Sequence, residues 1–302
     1  MSFSQPTVLM CPPPAPSAAD AHQSECDLHE WGTHPCPFDT GRAAAQWESL
    51  RTTLESLAVD VRTIPVREGL PDLMFTSDTA LIDGRRAVVS RFRHRQRCGE
   101  AGVMSEWLSR AGFEVVNVPA EYDFEGGGQA VACGRAIFGG WFLHRELLAL
   151  EWLGQTLDRP VVPLRLASDR FDRLDSCFRP LSDGVALYVP GAFDARGRAL
   201  LEEHVGTLIP VCNPEATRMA ASAVAVGRVV LLPSSCPQTA AAVEAAGFEV
   251  RTVDVDAFAM LGGGINGLML RLDTAHNLSS PGAAGRGKVA NPPAMSRAVA
   301  LA

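Results

Sequence analysis

Ala111-Gly112-Phe113-Glu114-Val115-Val116-Asn117-Val118-Pro119 reads as a helix end, a turn and a β-branched strand, and the same change of pattern returns along the chain. It recurs at Leu57-Ala58-Val59-Asp60-Val61-Arg62-Thr63-Ile64-Pro65, at Arg159-Pro160-Val161-Val162-Pro163-Leu164 and at Ala246-Gly247-Phe248-Glu249-Val250-Arg251-Thr252-Val253. Roughly 40 to 55 residues separate most neighbours, which is the spacing of a repeated supersecondary unit rather than of unrelated halves. Ahead of the strands, apolar residues recur at three and four positions, as in Trp47, Leu50, Leu54 and Leu57. This periodicity predicts helices over 43–57, 100–111, 143–157, 199–204 and 237–246. Val-, Ile- and Leu-rich runs predict strands over 79–82, 87–90, 185–189 and 229–232. Helices alternating with strands in this way make an α/β fold.

Composition bounds the function. The 302 residues are 47% hydrophobic, enough to bury a large core. A formal charge of -7 opposes attraction to phosphate backbones, so no nucleic-acid partner is expected. The opening MSFSQPTVLM lacks a basic start and an apolar core, and the most apolar stretch, from Met219 to Pro233, is short for a span and is broken by Arg228. The expectation is a soluble cytoplasmic protein with no membrane partner. Eight cysteines with no C-x-x-C pair read as reduced and mostly buried thiols. Residues 1–273 are expected to form one domain, with an irregular, Pro-rich, lid-like segment at 11–41. Residues 274–302 read as a flexible tail.

Six segments in order carry a resemblance to a known family. They are Phe75-Thr76-Ser77-Asp78-Thr79-Ala80-Leu81, Ser90-Arg91-Phe92-Arg93-His94, Phe124-Glu125-Gly126-Gly127-Gly128-Gln129, Arg173-Leu174-Asp175-Ser176-Cys177-Phe178, Ala186-Leu187-Tyr188-Val189-Pro190-Gly191-Ala192-Phe193, and Leu261-Gly262-Gly263-Gly264-Ile265-Asn266-Gly267-Leu268-Met269-Leu270. Together they resemble the guanidino-group-modifying, or pentein, superfamily, which includes dimethylarginine dimethylaminohydrolases, arginine deiminases and amidinotransferases. The resemblance runs from about Val8 to Asp273. It implies a fivefold pseudo-symmetric α/β propeller with catalytic groups converging on a central channel.

The resemblance also implies roles. A cysteine thiolate attacks the guanidinium carbon, a histidine moves protons, and carboxylates grip the planar cation. Asp78 and Asp175 match the carboxylates that hold the guanidinium, and Glu125 matches the one that supports the histidine. The departures lie elsewhere. Arg173 stands where the family has its histidine, and Gly267 where it has its cysteine. Gln129 replaces an acidic residue, and His144 stands where many relatives carry arginine. A guanidinium stays protonated at physiological pH and cannot shuttle a proton as imidazole does. Glycine supplies no nucleophile, and losing the nucleophile of a concerted site costs roughly six orders of magnitude in rate. Arg173 is instead expected beside Asp78, Glu125 and Asp175, in the place of a substrate guanidinium; the alternative is that it points to solvent.

Other signals read as structural. The pattern Gly262-x-Gly264-x-x-Gly267 matches a dinucleotide fingerprint, but a strand rather than a helix is expected after it, over 268–272. Gly126-Gly127-Gly128 lacks a Walker lysine and reads as close backbone approach beside Glu125. Cys11, His22, Cys26, His29, His34 and Cys36 crowd near the start and are residue types that zinc prefers, but their spacing follows no standard finger. No metal and no cofactor are expected. Cys133 and Cys177 read as inert buried thiols rather than replacement nucleophiles. Arg91 is the candidate anchor for an α-carboxylate, its alternative being a structural ion pair, and His94 is equally placed as a surface residue.

Two function classes remain. The first is a degenerate relative that binds a small amino acid, a guanidino compound or a protein partner without turnover, as a monomer or homo-oligomer. The second is a repurposed enzyme of specialised metabolism, in which Glu125, Asp175 and Arg173 act by acid/base or electrostatic catalysis on an arginine-like or other polar substrate, with Asp78, Asp175 and Arg91 binding it.

Overall fold

The computed structural model describes residues 5–14, 38–168 and 170–273. It is a mixed α/β fold of five three-stranded sheets. The second sheet shows the plan. β3 (Ala80–Asp83) and β4 (Arg86–Val89) form an antiparallel hairpin, and β4 runs parallel to β5 (Glu114–Asn117). A parallel pair needs a crossover, supplied here by the helix Cys98–Arg110. The next three sheets repeat the order: β6 (Ala130–Cys133), β7 (Ala136–Trp141) and β8 (Val161–Arg165); β9 (Phe178–Ser182), β10 (Val185–Tyr188) and β11 (Thr207–Pro210); β12 (Val224–Val226), β13 (Val229–Pro233) and β14 (Glu249–Val253). Their crossover helices are His144–Leu157, Ala195–His204 and Pro237–Ala245.

The remaining sheet draws on both ends of the described chain. β1 (Thr7–Met10) runs parallel to β2 (Asp60–Thr63) through the helix Thr40–Ser56, and β15 (Leu270–Arg271) pairs antiparallel with β1 through Leu9 and Leu270. The late strand thus fills the position that the first hairpin strand holds in the other sheets.

Burial grades across each sheet. The middle strands are almost wholly buried and read as apolar runs, such as Ala87-Val88-Val89 and Ile137-Phe138, as expected for strands covered on both faces. The third strands are less buried and several expose charged residues, as β14 does at Glu249 and Arg251. Asp39 and Asp194 cap their helices by accepting the N–H of Arg42 (2.9 Å) and of Gly197 (2.7 Å), which satisfies donors left open at a helix start.

The helices begin and end within a few residues of expectation, whereas the strands differ more. The segment Thr76-Ser77-Asp78-Thr79 is a 3-10 turn, and the strand starts only at Ala80. The strand expected over 268–272 is the short β15. β6, β9, β11 and β12 are not among the predicted strands: each is three to five residues long, and β11 ends in proline. The tail at 274–302, and the lid-like segment at 11–41 over residues 15–37, lie outside the described residues.

Candidate active site

The candidate residues occupy equivalent places in the repeat. Asp78 lies on the 3-10 turn Thr76–Thr79 before β3, Glu125 directly before the one-turn helix Gly126–Gln129 that leads into β6, and Asp175 on the 3-10 turn Leu174–Ser176 before β9. Asn266 and Gly267 lie in the loop before β15. Local bonds fix the Asp78 turn. Thr76 Oγ1 donates to Leu9 O at 3.0 Å, and Thr79 Oγ1 to Thr76 O at 2.6 Å. Ser77 N–H donates to Gly267 O at 3.1 Å, and Asn266 Nδ2 to Ser77 Oγ at 3.1 Å, which ties the late loop to the Asp78 turn.

Glycines let these turns approach. Gly126 has φ +45°, and a Cβ there would lie 2.7 Å from the Ala80 backbone. A Cβ on Gly128 would lie 2.7 Å from Arg173 Nη2 and 2.9 Å from Asp78 Oδ1. Both positions therefore exclude a side chain, the first by conformation and space, the second by the ion pair beneath it.

Arg173 sits between two carboxylates. Its Nη1 donates to Asp78 Oδ2 at 2.7 Å, and its Nη2 donates to Asp78 Oδ1. Nε and Nη2 face Asp175 Oδ1 and Oδ2 at 3.3 Å each. Asp78 is completely enclosed, whereas the Arg173 side chain keeps 23% of its surface. A second arginine shares Asp78: Arg97 Nη1 donates to Oδ2 at 2.7 Å, while Arg97 Nε and Nη2 grip Glu100 at 2.9 and 2.8 Å. The Arg97 guanidinium also lies 4.4 Å from the centre of the Phe92 ring.

Electrostatics follow from this sharing. Burial alone would raise the Asp78 carboxyl, but Arg173 and Arg97 outweigh it and hold the group below its ordinary range. For Asp175 burial wins over the longer Arg173 contacts, and the group rises above the ordinary range. Burial opposes the charge on Arg173, yet Asp175 and Asp78 keep it firmly protonated. Glu125 is half-buried and makes no hydrogen bond to Arg173. It adds a longer-range attraction, so of the three carboxylates expected beside Arg173, two bond to it directly and the third acts across space.

Gly267 brings no side chain. Its backbone does not demand glycine: its φ is not in the left-handed region, and a Cβ would meet Gly264 O at 3.4 Å and Phe75 Cδ1 at 3.5 Å. Cys177 and Cys133 are not suited to take its place. Cys177 is fully buried and donates weakly to Arg173 O and Leu174 O, and burial, then Asp175, pushes its thiol far up. Burial lifts Cys133 to about 12. A thiol held protonated is a poor nucleophile.

Several other candidates make no hydrogen bond to Arg173, Asp78 or Asp175 among the described residues. Arg91 is exposed, and among the described residues its side chain makes no hydrogen bond or ion pair; only its backbone pairs, with Phe124. His94 and His144 are exposed. Gln129 Oε1 accepts from Glu125 N–H at 3.0 Å, while its Nε2 is buried without a partner. Cys11 is buried at the end of β1, with its thiol pushed up to about 12 by burial and by Glu100. The rest of the N-terminal cluster, His22, Cys26, His29, His34 and Cys36, lies outside the described residues. Among the described residues no group of three or more His, Cys, Asp or Glu could hold a metal, and no helix is long and apolar enough to cross a membrane. No helix follows Gly262-x-Gly264-x-x-Gly267, so it is not a pyrophosphate cradle. Arg97 and Glu100 are site residues that the sequence did not single out. Their only signal is a buried i,i+3 pair of opposite charge at a helix start.

Comparison with known proteins gives consistent relatives, although no family model matches. The bifunctional arginine dihydrolase/ornithine cyclodeaminase AgrE of Nostoc sp. is 33% identical over 271 residues, which is 87% of this chain and 37% of that protein. ArgZ of Synechocystis sp., with the same bifunctional description, is also 33% identical, over 88% of this chain and 37% of its own length. The chain thus spans little more than a third of these two relatives. The dimethylarginine dimethylaminohydrolase of Mycobacterium tuberculosis is 32% identical over 79% of this chain and 78% of its own length. Among solved structures, the N-terminal domain of ArgZ, covalently bound to a reaction intermediate, matches with a TM-score of 0.82 and 32% identity, over 89% of this chain and 98% of that domain. A dimethylarginine dimethylaminohydrolase bearing an S-methyl-L-thiocitrulline adduct matches at TM-score 0.74 and 20% identity, which speaks for the fold alone. The chain belongs to the guanidino-group-modifying, or pentein, superfamily, which its likeness to these relatives shows.

Proposed function

We propose that this chain is a catalytically silent relative of the guanidine hydrolases, in which Arg173 fills the cradle that a substrate guanidinium occupies in an active member. One observation carries this reading: the Arg173 guanidinium pairs with both Asp78 and Asp175. Gly267 offers no nucleophile, and Arg173 cannot take the histidine's part in proton transfer. An attached guanidinium also competes at an effective concentration of about millimolar or more, so a free guanidino compound must displace it. The remaining capacity is to bind a small amino acid or guanidino compound weakly, or a partner protein, without turnover.

We further infer that the five units close around one axis as a fivefold α/β propeller. The pairing of β15 with β1, and a cavity lined from all five sheets, support that arrangement.

The test is product analysis. Purified protein incubated with arginine, agmatine or methylated arginines is expected to release no ammonia, methylamine or ureido product. Ammonia and ornithine formed from arginine, and lost in Asp175→Asn, would overturn the proposal.

A second reading has one observation in its favour. Burial raises Asp175 above the usual carboxylate range, a condition suited to a general acid. A repurposed enzyme would then turn over a polar substrate without a thiol, and a product that disappears in Asp175→Asn but persists in Gly267→Ala would mark it.

A further inference from the structure

A cavity of about 160 Å³ lies between the sheets and takes its lining from all five of them, through Ala80, Ala130, Arg179, Ala225 and Arg271 among others. It holds three arginines of unequal standing. Arg159 Nη1 donates to Asp83 Oδ1 at 2.8 Å and its Nη2 to Gly134 O at 2.8 Å. Arg271 Nη2 donates to Asp273 Oδ2 at 3.0 Å and its Nη1 to Ala225 O at 3.0 Å. Arg179 has no such partner among the described residues. It is 91% buried by the 9% exposure of its residue, and its Nε and Nη2 are closed off from solvent with no hydrogen bond.

The nearby acids do not answer it. Asp175 attracts Arg179 but is engaged by Arg173, and Asp273 is engaged by Arg271. Asp183 lines the same cavity, is exposed and forms no ion pair. An enclosed guanidinium without an acceptor is costly, and such a group calls for a bound water or ion. Guanidinium donors suit the oxygens of a carboxylate or phosphate, and one in the cavity would meet Nη1 first, since Nε and Nη2 are closed off. The space is far below the roughly 300–1,000 Å³ of a drug-sized pocket, which restricts the occupant to a small molecule.

We propose that this cavity is a binding site for a small oxyanion of carboxylate or phosphate type, held by Arg179. The site is opposite in charge preference to the Asp78 and Asp175 cradle and stands or falls independently of the Arg173 proposal. Burial also brings Arg179 down to about 10, a cost that a bound anion would relieve.

Thermal unfolding of the full chain in increasing inorganic phosphate, and separately in acetate, at constant ionic strength, tests it. At least one of the two is expected to raise Tm by several degrees with saturation, and the one that does so identifies the class. Arg179→Met is expected to abolish the shift. Ala225→Leu, which fills the cavity while leaving Arg179 in place, is expected to abolish it too and serves if Arg179→Met does not fold. A wild-type protein that shows no saturable rise with either anion overturns the proposal, as does a rise that survives both substitutions.

Discussion

Arg173 Nη1 lies 2.7 Å from Asp78 Oδ2, in a pair whose carboxylate is wholly enclosed and also bound by Arg97. Two arginines on one carboxylate leave it no free edge for an incoming cation. They also explain why Asp78 stays ionised in the interior while Asp175, with contacts of 3.3 Å, does not share that depression. The two acids of the cradle therefore carry different burdens: Asp78 anchors the network, and Asp175 closes its rim.

Removing the anchor leaves two buried guanidinium groups with one partner fewer. Asp78→Asn is expected to lower unfolding stability by about 3 kcal/mol, in the range for breaking a buried pair. The denaturant midpoint would report it. A change below about 0.5 kcal/mol would show that the network contributes little.

The same carboxylate sets an acid limb. The Asp78 pKa is lower in the folded chain than the unfolded value of about 3.9, so its stabilisation is complete above that value and is lost as pH falls below it. Stability measured from pH 7 to pH 2 should fall more gently below pH 4 in Asp78→Asn than in the wild type. Parallel acid limbs would contradict the ion pairing.

Glycine positions separate space from identity. Gly128→Ala is expected to push Arg173 off Asp78, because the new methyl would lie 2.7 Å from Nη2. Gly267→Ala meets no atom closer than 3.4 Å and should change stability by less than about 1 kcal/mol. Equal effects of the two substitutions would refute this contrast.

On the proposed reading, supplying a histidine and a cysteine should give the cradle part of the family's chemistry. Arg173→His combined with Gly267→Cys is expected to form a covalent adduct or a slow product with arginine, agmatine or a methylated arginine, detectable by mass spectrometry. The room around Gly267 supports the replacement. Complete silence toward all of these compounds would show that the pocket no longer has the inherited shape.

Much of this arrangement is legible in the sequence. The Val-rich runs after each helix revealed the alternating architecture, and the quoted motifs brought Asp78, Asp175 and Arg173 together as candidates. What escaped reading depends on distance and direction. Arg97 and Glu100 look like an ordinary pair at a helix start, and only packing shows both of them buried behind Asp78. Glu125 shares a motif with its glycines, yet a motif fixes order along the chain and not the reach of a carboxylate. Arg179 sits in Phe178-Arg179-Pro180-Leu181, where a charged residue beside proline suggests an exposed edge; β9 is an edge strand, yet it is buried throughout.

The occupied cradle can be tested directly by calorimetric titration of agmatine into the wild type and into Arg173→Ala, with Arg173→Ala/Asp78→Asn as control. Agmatine should bind Arg173→Ala at least tenfold more tightly than the wild type, and the gain should vanish in the double variant. Equal affinity for the wild type and Arg173→Ala would contradict the claim that Arg173 holds the place of a substrate guanidinium.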